Sequence, residues 1–306
     1  MKKMNWLKTI ENVHKVTNNK KIKILLDIII CRIKYKATSR DYDYFEMYKM
    51  SEFERSTYLT KGKNKDLIKK YNHPKFMKLV NNPIEFHKIF TKFINREWLE
   101  INNLKSFKKF CTNQKEGIAF SNKRKKQINI EKRTIEKVYK ELTEKKYLLI
   151  EEIVKTTGSL KKISSTSNIS IRIITILGKC LSALLYIEEE NIQLMAPVDL
   201  DTGKILFRAE DQAKNKFTAH PKTKKEILGI EIPNWERIKE VCEEACLEIP
   251  EVGYIEWTFV IGEKKIDLVK VNTNPEYDLF QRVTHQEHNI GMIPLIKKKE
   301  ERKIEN

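Results

Sequence analysis

The chain has 306 residues, 40% hydrophobic and 33% charged, with nine glycines and eight prolines. That composition excludes a disordered, collagenous or linker-dominated polypeptide and allows one large or two modest cores. Sixty Lys and Arg against 42 carboxylates leave a formal charge of +18, which suits a polyanion such as nucleic acid, an anionic glycan or an inner-membrane surface. Yet 49 of those cations are Lys and only 11 are Arg, spread among many Ile and Asn. Groove and phosphate readers lean on the bidentate Arg fork, so dedicated nucleic-acid binding is not expected.

Residues 1 to about 70 carry helical periodicity. Leu25, Ile28 and Ile29 make one apolar stripe, and Phe45, Tyr48 and Phe53 continue it. The apolar run from Ile24 to Cys31 contains Asp27 and falls far short of the ~18 residues of a membrane span. Without a cleavage signal, the chain is expected to be cytoplasmic, with a peripheral place at the inner membrane face left open. Ser51 and Glu54 have the spacing of a helix capping box, and Thr60-Lys61-Gly62 reads as a helix exit. A second helical stretch is expected from Pro83 to Leu99, burying Phe86, Ile89, Phe90 and Phe93.

Beyond Leu104, an apolar run from Gly117 to Phe120 precedes the basic string Ser121 to Lys126. Helical spacing follows from Glu131 to Leu142, and Tyr147 to Val154 reads as a strand carrying the doublet Glu151-Glu152. Strands are expected at Ile169–Leu177, Leu181–Ile187 and Ile192–Leu200, then a helix at Ile238–Leu247. Tyr254–Ile261 and Ile266–Val271 form a hairpin around Gly262 to Lys265. Helices interspersed with antiparallel strands indicate an α+β class. The odd set Cys31, Cys111, Cys180, Cys242 and Cys246 lacks zinc or redox spacing and suggests reduced core thiols. His285 and His288 lack the companions of a metal site.

Several strings together resemble the sugar-transfer-associated branch of the ATP-grasp superfamily. They are Ala196 to Gly203 (APVDLDTG), His220 to Pro233 (HPKTKKEILGIEIP) with Trp235, Gly253 to Asn272, and Gln281 after the Pro275 loop. Upstream, the stretches from Arg40 and His87, Leu148 to Val154 and the SNISIR string from Ser167 are also similar, so the resemblance runs over about residues 35 to 292. It implies two α+β lobes with antiparallel sheets clamping a nucleotide: a helical region over 1–82, an ATP-grasp domain over 83–292 with its lobe boundary near 150–155, and a charged tail over 293–306. It also implies an ATP-dependent ligase linked to cell-envelope polysaccharide biosynthesis, joining an unknown carboxylate to an unknown acceptor. By the same resemblance Lys88, Glu151 and Glu152 would bind nucleotide, and Arg172, Asp199 and His220 would meet phosphate or substrate. From the residues alone, Lys88 reads first as a solvated helix lysine, and Arg172 equally as half of a structural ion pair. Asp199 reads as a turn residue and His220 as a loop hydrogen bonder.

The resemblance places three magnesium ligands on the last hairpin, at Thr258, Lys270 and Asn272. Only Asn272 is of the family's type; Thr258 replaces an acid and Lys270 a Glu, with Glu256 on the same strand face as a possible substitute. Two unit charges ~4 Å apart interact by ~4 kcal/mol at an effective dielectric of ~20, so a divalent ion beside the Lys270 ammonium would meet roughly 8 kcal/mol of repulsion. The loop from Gly117 to Lys126 puts long basic side chains where the family has phosphate-cradling glycines, and Ile169 stands where the family favours Asn. ATP is therefore the expected ligand, binding of Mg2+ is expected to be lost, and catalysis is expected to be impaired. A non-catalytic nucleotide- or partner-binding protein and a polyanion binder are the other readings.

Overall fold

The computed structural model describes residues 6–131, 133–166, 168–262, 265–284 and 290–304. Ser167, His285, His288 and the hairpin residues Glu263 and Lys264 lie outside them. Among the described residues no helix is long and apolar enough to cross a membrane.

The N-terminal region is helical: α1 (Trp6–Thr17), α2 (Lys21–Tyr35), α3 (Ser39–Tyr44), α4 (Glu52–Thr57), α5 (Lys61–Tyr71), α6 (Pro74–Val80) and α7 (Pro83–Ile89). Ile10, Val13, Ile24, Ile28, Cys31 and Phe45 share its core. Leu25 packs partly buried against the same core as Ile28, but Ile29 does not line up with them as expected, because α2 turns Ile24, Ile28, Cys31 and Tyr35 inward and leaves Ile29 37% exposed. The capping box at Ser51 and Glu54 is present. Thr60-Lys61-Gly62 begins a helix rather than ending one. Thr60 is the extended residue before α5, and Gly62 is required by close approach, since a Cβ there would collide with Lys36. The helix expected over 83–99 stops at Ile89, followed by a single tight turn at Thr91–Phe93. Asp267 accepts the Asn95 backbone N–H (2.9 Å) and the Asn95 side chain donates to the Ile266 carbonyl (2.8 Å), which draws the chain out of the helical path. Phe86, Phe90 and Phe93 are buried as expected.

The first lobe is a four-stranded antiparallel sheet of β1 (Trp98–Glu100), β2 (Glu116–Phe120), β3 (Lys125–Asn129) and β4 (Leu149–Glu152), in the order β1-β4-β2-β3. Helices α8 (Leu104–Asn113) and α9 (Ile135–Glu144) cover it, with Phe107, Val138, Leu142 and Ile150 at the centre of its core. After the short α10 (Gly158–Lys161), the second lobe is a seven-stranded sheet in the order β11-β10-β5-β6-β7-β8-β9. Its strands are β5 (Ile169–Ile176), β6 (Lys179–Glu189), β7 (Ile192–Val198), β8 (Ala209–Glu210), β9 (Lys216–Phe217), β10 (Tyr254–Ile261) and β11 (Ile266–Asn272). One face packs on α11 (Trp235–Leu247) and α7 through Trp257, Phe90 and Ile238. The other carries α12 (Tyr277–Thr284), α13 (Ile293–Ile304) and α5 around Tyr254, Leu184 and Phe280. The segment expected as a charged tail thus carries a helix with Ile296 buried. All five cysteines are buried and unpaired. Two antiparallel sheets with helices on their faces make the expected α+β pair of lobes.

Candidate functional site

Three neighbouring strands at one edge of the larger sheet, β5, β10 and the edge strand β11, set the candidate cleft. Their register aligns Arg172 on β5 with Thr258 on β10 and Lys270 on β11, and places Glu256 opposite Asn272 one step along. Directly paired residues project from the same face, so these side chains form two adjoining rows. Arg172 donates through Nε to Glu256 Oε1 (2.7 Å), through a terminal nitrogen to the same oxygen, and through it again to Glu276 Oε2 (2.8 Å). The guanidinium also lies over the Tyr186 and Phe280 rings, at 5.3 and 5.8 Å.

Glu256 cannot stand in freely as a metal ligand. Besides Arg172, its Oε2 accepts the Glu276 backbone N–H (2.9 Å) and the Asn272 amide (3.3 Å), while Asn272 Oδ1 takes the Asn274 N–H (3.0 Å). Thr258 is half-buried, and Lys270 is exposed with no ion-pair partner among the described residues. Water around Lys270 lowers its repulsion of a cation several-fold relative to a buried site. The greater obstacle is the missing carboxylates, because magnesium demands free oxygen ligands in near-octahedral array. Among the described residues no cluster of three His, Cys, Asp or Glu could hold a metal. The oxygen donors beside Lys270 on this face include Glu256 and Asn272, both already hydrogen-bonded within the protein.

Where the lobes meet, Glu151 on β4 enters a sealed network. His87 Nε2 lies 2.7 Å from Glu151 Oε2, and Arg96 contacts that oxygen at 2.9 Å. Arg96 also pairs with Asp267 and donates to the Leu268 carbonyl at 2.9 Å. All four side chains are nearly inaccessible, and Arg96 Nε is buried with no hydrogen-bond partner among the described residues. Burial raises the Asp267 pKa, with Arg96 pulling the other way. Glu152 accepts the Glu97 N–H at 3.1 Å. Lys88 remains exposed, loosely paired with Glu85 (3.8 Å) and Glu100 (3.5 Å).

Asp199 and His220 lie apart from each other. Asp199 follows β7 and closes a turn, accepting the Thr202 N–H (2.8 Å) and hydroxyl (2.6 Å). His220 is fully buried beside Glu189, which pairs with Ile192 at the other end of β7, roughly 23 Å away at ~3.3 Å per residue. His220 Nδ1 accepts the Thr223 N–H (3.3 Å), Nε2 has no hydrogen-bond partner among the described residues, and Glu189 Oε2 is 3.7 Å off. Burial lowers the His220 pKa. Burial also opposes ionisation of Glu189, but hydrogen bonds from Ser164, Ser165 and Lys222 prevail and hold it at about 2. In the basic loop, Arg124 donates to the Lys145 carbonyl (2.7 Å) and Lys126 pairs with Glu141 (2.6 Å).

Reading the sequence missed the joint role of His87, Arg96 and Asp267, and the second Arg172 partner, Glu276. The available signal was the rarity of Arg. In a chain that uses Lys nearly everywhere, each Arg marks a place where a fork of donors is needed.

A family model described as sugar-transfer associated ATP-grasp matches residues 107–288. Among solved structures, the fold is similar to the ATP-grasp ligase PsnB complexed with minimal precursor, Mg and ADP (TM-score 0.44, 15% identity, 74% of this chain and 60% of that one). It is also similar to a Chryseobacterium gregarium RiPP-associated ATP-grasp ligase in complex with ADP and a leader and core peptide (0.46, 12%, 74% and 63%). A third is D-alanine–D-alanine ligase from Bacillus anthracis complexed with ATP (0.43, 12%, 73% and 66%). The chain spans about 60% of the length of PsnB. No curated protein matches it.

Proposed function

The chain belongs to the sugar-transfer-associated ATP-grasp family, and from that premise we propose that it binds a nucleotide between its lobes while its ligase chemistry is impaired. One observation carries this reading: the row Arg172, Thr258, Lys270 beside a Glu256 whose oxygens are already engaged. A metal pair acts in phosphoryl transfer by bridging phosphate oxygens and orienting the attacking and leaving groups. An ammonium supplies charge without that template. Lys270 would meet the phosphates as a point charge. Lys88, held by long exposed contacts to Glu85 and Glu100, would be a second cation offered to the nucleotide, from α7.

The biological setting we infer is cell-envelope polysaccharide assembly on the cytoplasmic side, supported by the family's association with sugar transfer. There the protein would bind nucleotide and a pathway partner, or retain a slow ligation of a carboxylate to an acceptor. Nucleotide titration with and without magnesium tests the reading. Wild type should bind ATP with less than about a threefold effect of magnesium, whereas Thr258→Asp with Lys270→Glu should gain at least about tenfold, roughly 1.4 kcal/mol. Wild-type ATP consumption at an ordinary enzymatic turnover of about 1–1000 per second, or no nucleotide binding at all, would overturn it.

A further inference from the structure

Helix α2 is apolar on two opposite sides. Ile24, Ile28, Cys31 and Tyr35 face the N-terminal core. Ile22, Leu26, Ile29, Ile30 and Ile33 are 62, 55, 37, 44 and 75% exposed. At ~100° per residue these five fall within an arc of about 100°, centred opposite the buried stripe. By the same geometry Lys21 and Arg32 run along one border of that arc, and Lys23 and Lys34 along the other. The helix's one carboxylate, Asp27, is turned inward, bound by Arg55 (2.7 and 2.9 Å) and the Tyr42 hydroxyl (2.7 Å). Across residues 6–36, eight Lys and Arg stand against two carboxylates.

A helix that is apolar all round is ordinarily covered, and a continuous exposed stripe of this kind marks an interaction surface. The charge pattern selects the occupant. A second copy packed about a twofold axis would bring the same cations against each other. Nucleic acid would satisfy the cations and leave five aliphatic side chains unmatched. An anionic bilayer surface satisfies both, with Ile and Leu among the acyl chains and the ammonium groups reaching lipid phosphates along their own aliphatic stems. Lys23 has no ion-pair partner among the described residues, and Lys21 and Lys34 are held only by the exposed Glu11 and Glu52, so all three can exchange to lipid. At 15 residues and ~1.5 Å per residue, α2 is about 22 Å long, shorter than a ~30 Å hydrocarbon core. It would lie in the interface plane.

We propose that α2 docks the protein on an anionic membrane surface through Ile22, Leu26, Ile29, Ile30 and Ile33, with Lys21, Lys23, Arg32 and Lys34 contacting lipid phosphates. The test is co-sedimentation of the full chain with vesicles of phosphatidylcholine, alone or mixed with phosphatidylglycerol. Wild type should bind the mixed vesicles and be released by salt. The Leu26→Asn, Ile33→Asn double variant, altered only at exposed positions, should bind at least about tenfold more weakly, and Lys23→Ala about fivefold. Equal binding to both vesicle types, or undiminished binding by the double variant, would overturn the proposal. So would a wild-type dimer in sedimentation that the double variant dissolves, because the stripe would then belong to a second copy.

Discussion

Arg96 and Arg172 each draw together two carboxylates, yet their side chains are 1% and 10% exposed and their partners come from different places. Arg96 ties β4 of the small sheet to β11 of the large one, with His87 of α7 closing the group. Every member is inaccessible, so nothing can be exchanged with a ligand. Arg172 stays within the large sheet and the loop after it. Glu256 is as buried as the Arg96 partners, but the Glu276 side chain is 45% exposed, and the row continues to the exposed Lys270. A phosphate or carboxylate could displace Glu276 without uncovering a buried charge. The same fork of donors therefore acts as a fixed joint in one setting and as a site open at one end in the other. Desolvation decides between them.

The largest effect should come from the joint. Arg96→Met leaves Glu151 and Asp267 buried without their cation, and should cost about 3–5 kcal/mol of unfolding free energy in denaturant titration. Glu256→Gln should cost less, about 1.5–3 kcal/mol, because Arg172 keeps Glu276 and has water at its open end. The glutamine amide cannot satisfy its site by flipping. Whichever way it turns, its NH2 faces a donor, Arg172 on one side or the Glu276 N–H on the other. Equal losses from the two variants would erase the distinction between joint and site.

The larger sheet was legible because its strands are long and Ile-rich. The strands expected at 169–177, 254–261 and 266–271 match β5, β10 and β11 to within a residue. The end of α7 was not legible, because the stretch to Leu99 has helix-compatible residues and what stops the helix is Asp267, 172 positions away from Asn95. The beginning of α5 failed for a related reason: Gly62 suggested a terminus locally, whereas it answers a contact with Lys36. In the site, Arg172 was recognisable as a fork with a partner still to be found. Strand alternation puts Glu256 on the face of the expected metal ligands, but alternation cannot show that Arg172 and Glu276 already fill its oxygens. Pattern reveals the facing of a residue; competition for it is a tertiary fact.

The smallest effect separates two roles for Asp199. Its Oδ1 holds Thr202 by two hydrogen bonds, one residue before Gly203, which has φ +72° and no room for a Cβ against the Trp235 ring. Trp235 in turn donates to the Leu200 carbonyl at 2.9 Å, so glycine, indole and backbone fix this turn largely without the carboxylate. Asp199→Ala should accordingly cost only about 0.5–1.5 kcal/mol of stability and leave ATP affinity within about twofold, since no ligand contact would be lost. If calorimetry instead shows ATP binding weakened about tenfold or more, roughly 1.4 kcal/mol, Asp199 reaches the nucleotide and the open end of the site extends across the sheet from Lys270 to the far side of β7.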